Sequence, residues 1–163
     1  SIEGLGIPVS AAPFGDYFAV AQHSDSAVSL FNKDGSFHSV LSDDFDGPTH
    51  VLAFEDGLLV SDTVRGQVLR VLANGTTEVL VKGLTTPEGL AVHKGSIYVF
   101  EGSTGKIKLI TGGSTMTVAT LSAGSPPATP EQPPSMILNG LVVHDGFLYA
   151  ADEMKRAIFR IEI

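Results

Sequence analysis

The stretch Thr86–Glu101, TPEGLAVHKGSIYVFE, is followed later in the chain by a close copy, Leu138–Asp152, LNGLVVHDGFLYAAD. In each copy an apolar run reaches a His-Lys-Gly or His-Asp-Gly turn, and a second apolar run then ends at an acid. Two short apolar runs joined by a tight glycine-containing turn are typical of a β-hairpin. Because the hairpin recurs with a similar amino-acid pattern, the chain is expected to be built from repeated structural units.

Four polar residues mark the repeat, because each ends an apolar run. We call them the anchor residues, and they are Gln22, Asp62, Glu101 and Asp152. The residue six positions after each anchor is β-branched in every case: Val28, Val68, Ile107 and Ile158. Turn sequences of the kind that close two-residue hairpins then follow, namely Asp34-Gly35, Asn74-Gly75 and Gly112-Gly113. The second unit displays four strand-like runs, HVLAF, GLLVSD, QVLRVL and TTEVLV, so the sequence predicts four short strands per unit of roughly 40 residues.

Four-stranded units of this length are typical of the blades of a β-propeller. We therefore predict an all-β fold, a single β-propeller domain over residues 1–163 made of four-stranded antiparallel blades. The blades are expected at about residues 6–46, 47–84, 85–136 and 137–163. The third contains a proline-rich insertion, residues 122–135, which is expected to be a surface loop. A β-sandwich is the alternative, although it would not require the same four-strand pattern to recur.

The segments TPEGLAVHKGSIYVFEGSTGKIKLI and LNGLVVHDGFLYAADEMKRAIFRI resemble the NHL repeat, in which Pro-x-Gly-Leu/Val-Ala-Val, a turn and Tyr-Val-Ala-Asp follow one another. They are similar as well to blades of the gluconolactonase (senescence-marker-protein), paraoxonase and strictosidine-synthase-like group. The resemblance implies a propeller of the six-bladed type, whereas this chain holds about four blades. We expect the ring to be completed by blades preceding Ser1, by another chain or a second copy, or by the opening residues IEGLG, which align with the end of an outer strand.

Composition excludes several classes of function. Acidic residues outnumber basic ones 18 to 10, for a formal net charge of −8, which disfavours nucleic-acid partners and anionic membranes. No apolar run approaches the roughly 20 residues that span a bilayer, so membrane insertion is not expected. The absence of cysteine excludes disulfides, thiolate metal sites and cysteine catalysis. An extracellular location is weakly favoured, and Asn74-Gly75-Thr76 would be a glycosylation site in a secreted eukaryotic protein, or otherwise a turn that matches the motif by chance.

The anchor acids are candidates for a binding surface. In an up-and-down blade the start of the first strand lies beside the end of the second, so Asp62, Glu101 and Asp152 are expected on one face of the disc, which we call the acidic face. An alternative role for such acids is to cap the turn that follows the second strand by accepting backbone N–H bonds.

Metal-ligand positions follow from the resemblance. In the gluconolactonase-like group, ligands come from the start of the first strand, so the resemblance implies that Glu88 and Asn139 bind Ca²⁺, which takes oxygen ligands. Val9 and Thr49 occupy the equivalent places in the first two blades. His50, expected beside Asp62, is a candidate general base of the kind used by lyases and lactonases of this group.

Two functions are consistent with these residues. The first is an NHL-like propeller module for binding or assembly, which holds a partner through its acidic face or its open blade edges. The second is a Ca²⁺-dependent lactonase, esterase or lyase of the gluconolactonase-like group. The first is preferred, because this chain contains few of the required ligands and no complete catalytic set.

Overall fold

A computed structural model describes residues 2–121, 140–152 and 155–163 of the chain. Fifteen β-strands occur within these residues. The first blade contains β1 (Pro8–Phe14), β2 (Tyr17–Gln22), β3 (Ala27–Phe31) and β4 (Phe37–Ser42). The second contains β5 (Pro48–Phe54), β6 (Gly57–Asp62), β7 (Gln67–Leu72) and β8 (Thr77–Val81). The third contains β9 (Pro87–His93), β10 (Ser96–Glu101), β11 (Lys106–Thr111) and β12 (Ser114–Thr120). The fourth contains β13 (Leu141–His144), β14 (Phe147–Asp152) and β15 (Ala157–Glu162).

Each blade is an antiparallel meander in which strands pair in sequence order. The first three blades are four-stranded sheets, and the fourth contains three strands in the described part of the chain. The predicted all-β propeller architecture is therefore confirmed. In the described ranges, no helix is long and apolar enough to cross a membrane. The proline-rich insertion lies outside the described residues.

The turns between the third and fourth strands explain why glycine recurs there. The Gly112-Gly113 turn is a two-residue hairpin, since Thr111 pairs with Ser114. The prediction of two-residue turns at Gly35 and Gly75 is wrong. In each of these blades the hydrogen-bonded pair encloses three residues, and the glycine takes a left-handed conformation at the last of them (φ 88° and 83°). Both hairpin forms need positive φ at a fixed position, which glycine supplies at little cost.

Three apolar clusters join the blades in order. Each contains the β-branched residue six positions after the anchor of the earlier blade and an apolar residue four positions before the anchor of the later blade. These pairs are Val28 with Leu58, Val68 with Ile97, and Ile107 with Leu148. The face of a blade that points toward the following blade is called its trailing face, and the opposite face its leading face. The core thus lies between blades, where a trailing face meets a leading face.

The residues before β1 lie against the first blade. His23 donates a backbone hydrogen bond to the carbonyl of Ile7, and Ile2 lies close to Gly35 in the turn between β3 and β4. In the described part of the chain, β15 pairs with β14 alone. Within these residues the opening segment therefore does not pair with β15 of its own chain.

Candidate functional site

Strand register brings the beginning of each first strand to the anchor residue. Pro8 pairs with Gln22, Pro48 with Asp62, and Pro87 with Glu101. The prediction of the acidic face assumed this pairing between the start of the first strand and the end of the second.

The carboxylate of Asp62 is fully buried and is surrounded by backbone amides. Its Oδ2 atom accepts a hydrogen bond from the amide of Asp46 at 3.0 Å. Its Oδ1 atom accepts from the amides of Gly47 and Arg65, both at 3.1 Å. The Nε atom of Arg65 lies 3.8 Å from Oδ2, which adds a compensating positive charge. Asp62 therefore fastens the segment before β5 to the turn after β6, and its oxygens are engaged within the blade.

The other anchor residues also accept backbone hydrogen bonds, and Gln22 and Glu101 hold the segment before the first strand as Asp62 does. Glu101 accepts hydrogen bonds from the amide of Thr85 at 2.7 Å and from Lys108 Nζ at 2.9 Å. Gln22 accepts from the amide of Gly6 at 3.2 Å through its side-chain oxygen. Asp152 accepts from the amide of Lys155 at 3.0 Å. Because a neutral amide and two kinds of acid all hold the equivalent segment, what the repeat needs at this position is a hydrogen-bond acceptor.

Glu88 lies at an irregularity in the third blade. Pro87 pairs with Glu101 and Leu90 with Val99, so that two residues of β9 oppose one residue of β10. The same bulge occurs at Val9 in β1 and at Thr49 in β5. Bulges of this kind re-aim side chains and are frequent beside functional sites. Glu88 is 1% exposed, so the bulge places its carboxylate in the interior.

The described residues do not by themselves fit a Ca²⁺ ion. Within residues 2–121, 140–152 and 155–163, no three His, Asp or Glu side chains converge in a way that could hold a metal. Ca²⁺ takes about 6–8 oxygen ligands, and Glu88 is a single contributor. Asn139, the second predicted ligand, lies outside the described residues.

His50 is placed at the inner end of β5, one residue after the bulge. Burial lowers its pKa from 6.5 to about 4, so the ring is neutral at neutral pH. It lines a cavity of about 290 Å³ together with residues of the fourth blade, among them Leu141, Tyr149 and Ile158. No hydrogen bond joins its side chain to Asp62 in the described structure, because the Asp62 oxygens bind backbone amides. A general base works best with a pKa near the working pH, which a value of about 4 does not provide.

Buried hydroxyl groups connect neighbouring blades near these bulges, and the sequence interpretation missed them. Thr49 Oγ1 donates to the carbonyl of Pro87 at 3.4 Å, and Ser61 Oγ donates to the carbonyl of Glu88 at 2.8 Å. Between the first and second blades, Ser10 Oγ accepts from the amide of Val51 at 3.2 Å. Serine and threonine at the inner ends of successive strands could have signalled this network.

A second concave region lies at the opposite end of the first two blades. This cleft of about 660 Å³ is lined by residues that include Phe14, Tyr17, His38 and Asn74. The rings of Tyr17 and His38 stack with their centroids 4.2 Å apart. Asn74, the candidate glycosylation site, is exposed at its edge, and its side-chain oxygen accepts from the amide of Thr76 at 3.0 Å. The candidate glycosylation site and the acidic face therefore lie on opposite sides of the disc.

Comparison with known proteins shows the fold and leaves the family open. No protein-family model matches the sequence, and no curated protein matches it significantly. Virginiamycin B lyase from Staphylococcus aureus superposes with a TM-score of 0.72 at 14% identity, over 97% of this chain and 52% of that one. The chain therefore spans about half of the length of that enzyme.

Two further solved structures widen the range of functions on this fold. A chain of a nidogen/laminin complex matches with a TM-score of 0.65 at 13% identity, over 96% of this chain and 76% of that one. The computationally designed Ika4 protein matches with a TM-score of 0.64 at 15% identity, over 100% of this chain and 96% of that one. A lyase, a protein of a binary complex and a designed protein share the architecture, so the fold alone does not decide the function. The class that the structure defines is the β-propeller.

Proposed function

We propose that this chain is a propeller module for binding and assembly, which associates with further β-structure through the two end faces of its arc of blades. The observation that carries the proposal is the exposure of one repeat position. Val28, Val68 and Ile107 are each 0% exposed, whereas Ile158, which occupies the same position in the fourth blade, is 74% exposed. The first three are covered by the blade that follows them, and Ile158 has an equivalent trailing face with no blade packed on it in the described structure.

The leading face of the first blade presents the complementary case. Phe18 is 43% exposed, whereas its equivalents in the later blades, Leu58, Ile97 and Leu148, are 0%, 9% and 0% exposed. Burying an isoleucine or phenylalanine side chain contributes about 1.5–3 kcal/mol. Exposed interface positions at both ends therefore favour the addition of another blade at each end.

In the described residues the outer edge of β15 has no strand partner, which supports the same proposal. A free strand edge offers a row of N–H and C=O groups that another strand can bind. In the first three blades the equivalent third strands, β3, β7 and β11, each pair with a fourth strand. β15 therefore combines an exposed isoleucine, which shares its face with Arg160 and Glu162, with an edge at which a fourth strand of the same blade can pair.

Sedimentation velocity across a concentration series tests the proposal. The wild-type chain is expected to exceed its monomer mass of 17.0 kDa as the concentration rises. Ile158→Asp should abolish association without unfolding the chain, since this side chain is already exposed. Val79→Asp is the matched control, because Val79 is 40% exposed on an outer strand of the second blade, away from both ends. A chain that stays monomeric throughout, or that associates equally well with Ile158→Asp, would overturn the proposal.

A second candidate function is a Ca²⁺-dependent lactonase, esterase or lyase of the gluconolactonase-like group. It is favoured by the lyase among the structural neighbours and by the buried carboxylate of Glu88 at a bulge. In this function Glu88 and Asn139 would contribute oxygen ligands to Ca²⁺, and His50 would be the candidate base. Elemental analysis and lactone hydrolysis with and without chelator test it. Stoichiometric calcium and chelator-sensitive turnover that Glu88→Gln removes would support it, and their absence would exclude it.

A further inference from the structure

We infer that the partner at the end faces is a second copy of this chain, joined head to tail so that the opening segment of one copy pairs with β15 of the other. This inference rests on the proposed function and specifies the partner and the register. The evidence for it is a set of positions that recur in each blade. In this assembly residues 2–6 would pair with β15 of the other copy.

The register of the outer strands is the first step. Ser42 lies six residues before Pro48 and pairs with Val28, and Val81 lies six residues before Pro87 and pairs with Val68. In both cases the partner is the residue six positions after the anchor of the preceding blade.

The same count identifies the missing pair at the ends of the arc. Ile2 lies six residues before Pro8, and Ile158 lies six residues after the anchor Asp152. The two isoleucines, which are 38% and 74% exposed, therefore occupy the positions of a cross-strand pair.

Backbone conformation supports the equivalence of the opening segment with the end of β8. Gly4 has φ 76° and Ile7 has φ 49°, and the residues at the same distances before Pro87, Gly83 and Thr86, have φ 74° and 48°. An isoleucine and a threonine rarely adopt positive φ, because both are β-branched. The shared conformation shows that residues 4–7 already have the shape with which residues 83–86 leave one blade and enter the next.

The packing of the end faces completes the match. Every internal blade interface contains, in one apolar cluster, the residue six positions after one anchor and the residue four positions before the next anchor. At the ends of the arc these two residues are Ile158 and Phe18. One copy therefore carries the trailing half of a blade interface, and the other copy carries the leading half.

Charge distribution favours the same contact. Residues 2–7, the segment that enters β1, carry one acid, Glu3, and no basic residue. The loop before β15 carries Lys155 and Arg156, both exposed, and Arg160 is exposed on β15 itself. In the second blade the amide of Leu84 donates to the carbonyl of Gly66, so the segment entering the next blade runs beside the loop after the anchor. The equivalent contact would bring Glu3 of one copy to the loop of the other that carries Lys155 and Arg156.

Two copies give a blade number within the usual range. The structure describes four blades in each copy, so two copies bring together eight described blades, and propellers typically contain about 4–8. A head-to-tail contact closes into a ring when its rotation divides the circle, and otherwise it extends into a filament. Three copies would exceed the usual range, so a closed dimer is the expected assembly.

Disulfide trapping tests the register. The chain contains no cysteine, so Ile2→Cys and Ile158→Cys introduce one thiol each. The two single variants, one carrying a mass tag, are mixed under a mild copper–phenanthroline oxidant, which takes up the electrons released when two thiols form the bond. A mixed disulfide between the two variants is expected. Val79→Cys in place of Ile158→Cys is the control, because Val79 is also exposed on a strand but lies at neither end.

The variant carrying both cysteines tests the closure. A covalent dimer with two disulfides is expected, and its formation should be independent of concentration once the ring has assembled. Mixed disulfides no more abundant than with Val79→Cys would overturn the register. A disulfide within one chain, or a ladder longer than the dimer, would overturn the closed pair. Association that Ile158→Asp abolishes without this disulfide would leave the proposed function standing and refute the inference alone.

Discussion

The replacement of Asp62 by alanine tests whether the anchor residues hold the blades together. The substitution removes the acceptor for the amides of Asp46, Gly47 and Arg65, and it leaves a cavity at a fully buried site. A hydrogen bond to a charged group contributes about 1.5–3 kcal/mol, and water can reach part of the loop after truncation. We therefore expect the free energy of unfolding to fall by about 3–5 kcal/mol, a large share of the ~5–15 kcal/mol typical of a domain.

Urea unfolding followed by far-ultraviolet circular dichroism measures this loss. With a denaturant slope of about 2 kcal/mol per molar, the midpoint should fall by roughly 1.5–2.5 M. Asp62→Asn should give an intermediate loss, because Gln22 shows that an amide oxygen can hold the equivalent segment. Asp34→Ala is the matched control, since it removes the same charge from an exposed turn where Asp34 accepts from Ser36, and it should shift the midpoint far less than Asp62→Ala. A loss of less than 1 kcal/mol for Asp62→Ala would refute the proposed role of the anchor residues.

Two further predictions concern His50 and the glycine turns. Because burial lowers the pKa of His50 from 6.5 to about 4, the stability that its neutral form contributes is complete above pH 6.5 and is lost as pH falls toward 4. The loss should be about 1–2 kcal/mol, since water reaches part of the ring, and His50→Gln should flatten the pH dependence of the melting temperature in this range. Gly75→Ala should cost about 2–4 kcal/mol in urea unfolding, because its Cβ would lie 2.2 Å from the carbonyl oxygen of Leu41 at φ 83°. Gly83→Ala, at φ 74° with no atom within 4 Å, should cost only about 1–2 kcal/mol, and equal costs would contradict the clash.

The architecture could be predicted from the sequence because the repeated residues are those that every blade needs for packing and for hydrogen bonding. Apolar residues such as Val68 recur where blades pack. A polar anchor such as Asp62 recurs at the end of each second strand, beside the start of the first strand. Such positions depend on local hydrogen bonds and nearest-neighbour contacts, so they can be read from one unit and checked in the next.

The candidate site was less predictable, because its chemistry depends on distances between blades. Spacing brought Asp62 and His50 to the same region, but it did not reveal that backbone amides occupy the Asp62 carboxylate. The low pKa of His50 arises from burial in the folded chain, which no local pattern encodes. The three-residue turn at Gly75 was misread for a related reason, since Asn-Gly fits both hairpin lengths and the strand pairing decides between them.

The hydroxyl bonds from Ser10 to Val51 and from Ser61 to Glu88 have a consequence for how such chains change in length. Each links a blade only to its immediate neighbour, and the anchor of each blade binds a segment next to that blade. The interior thus consists of similar interfaces between successive blades and not of one core shared by all blades. A gene that gains or loses one unit would keep every remaining interface intact, so blade number can change by duplication or deletion without redesign of the core.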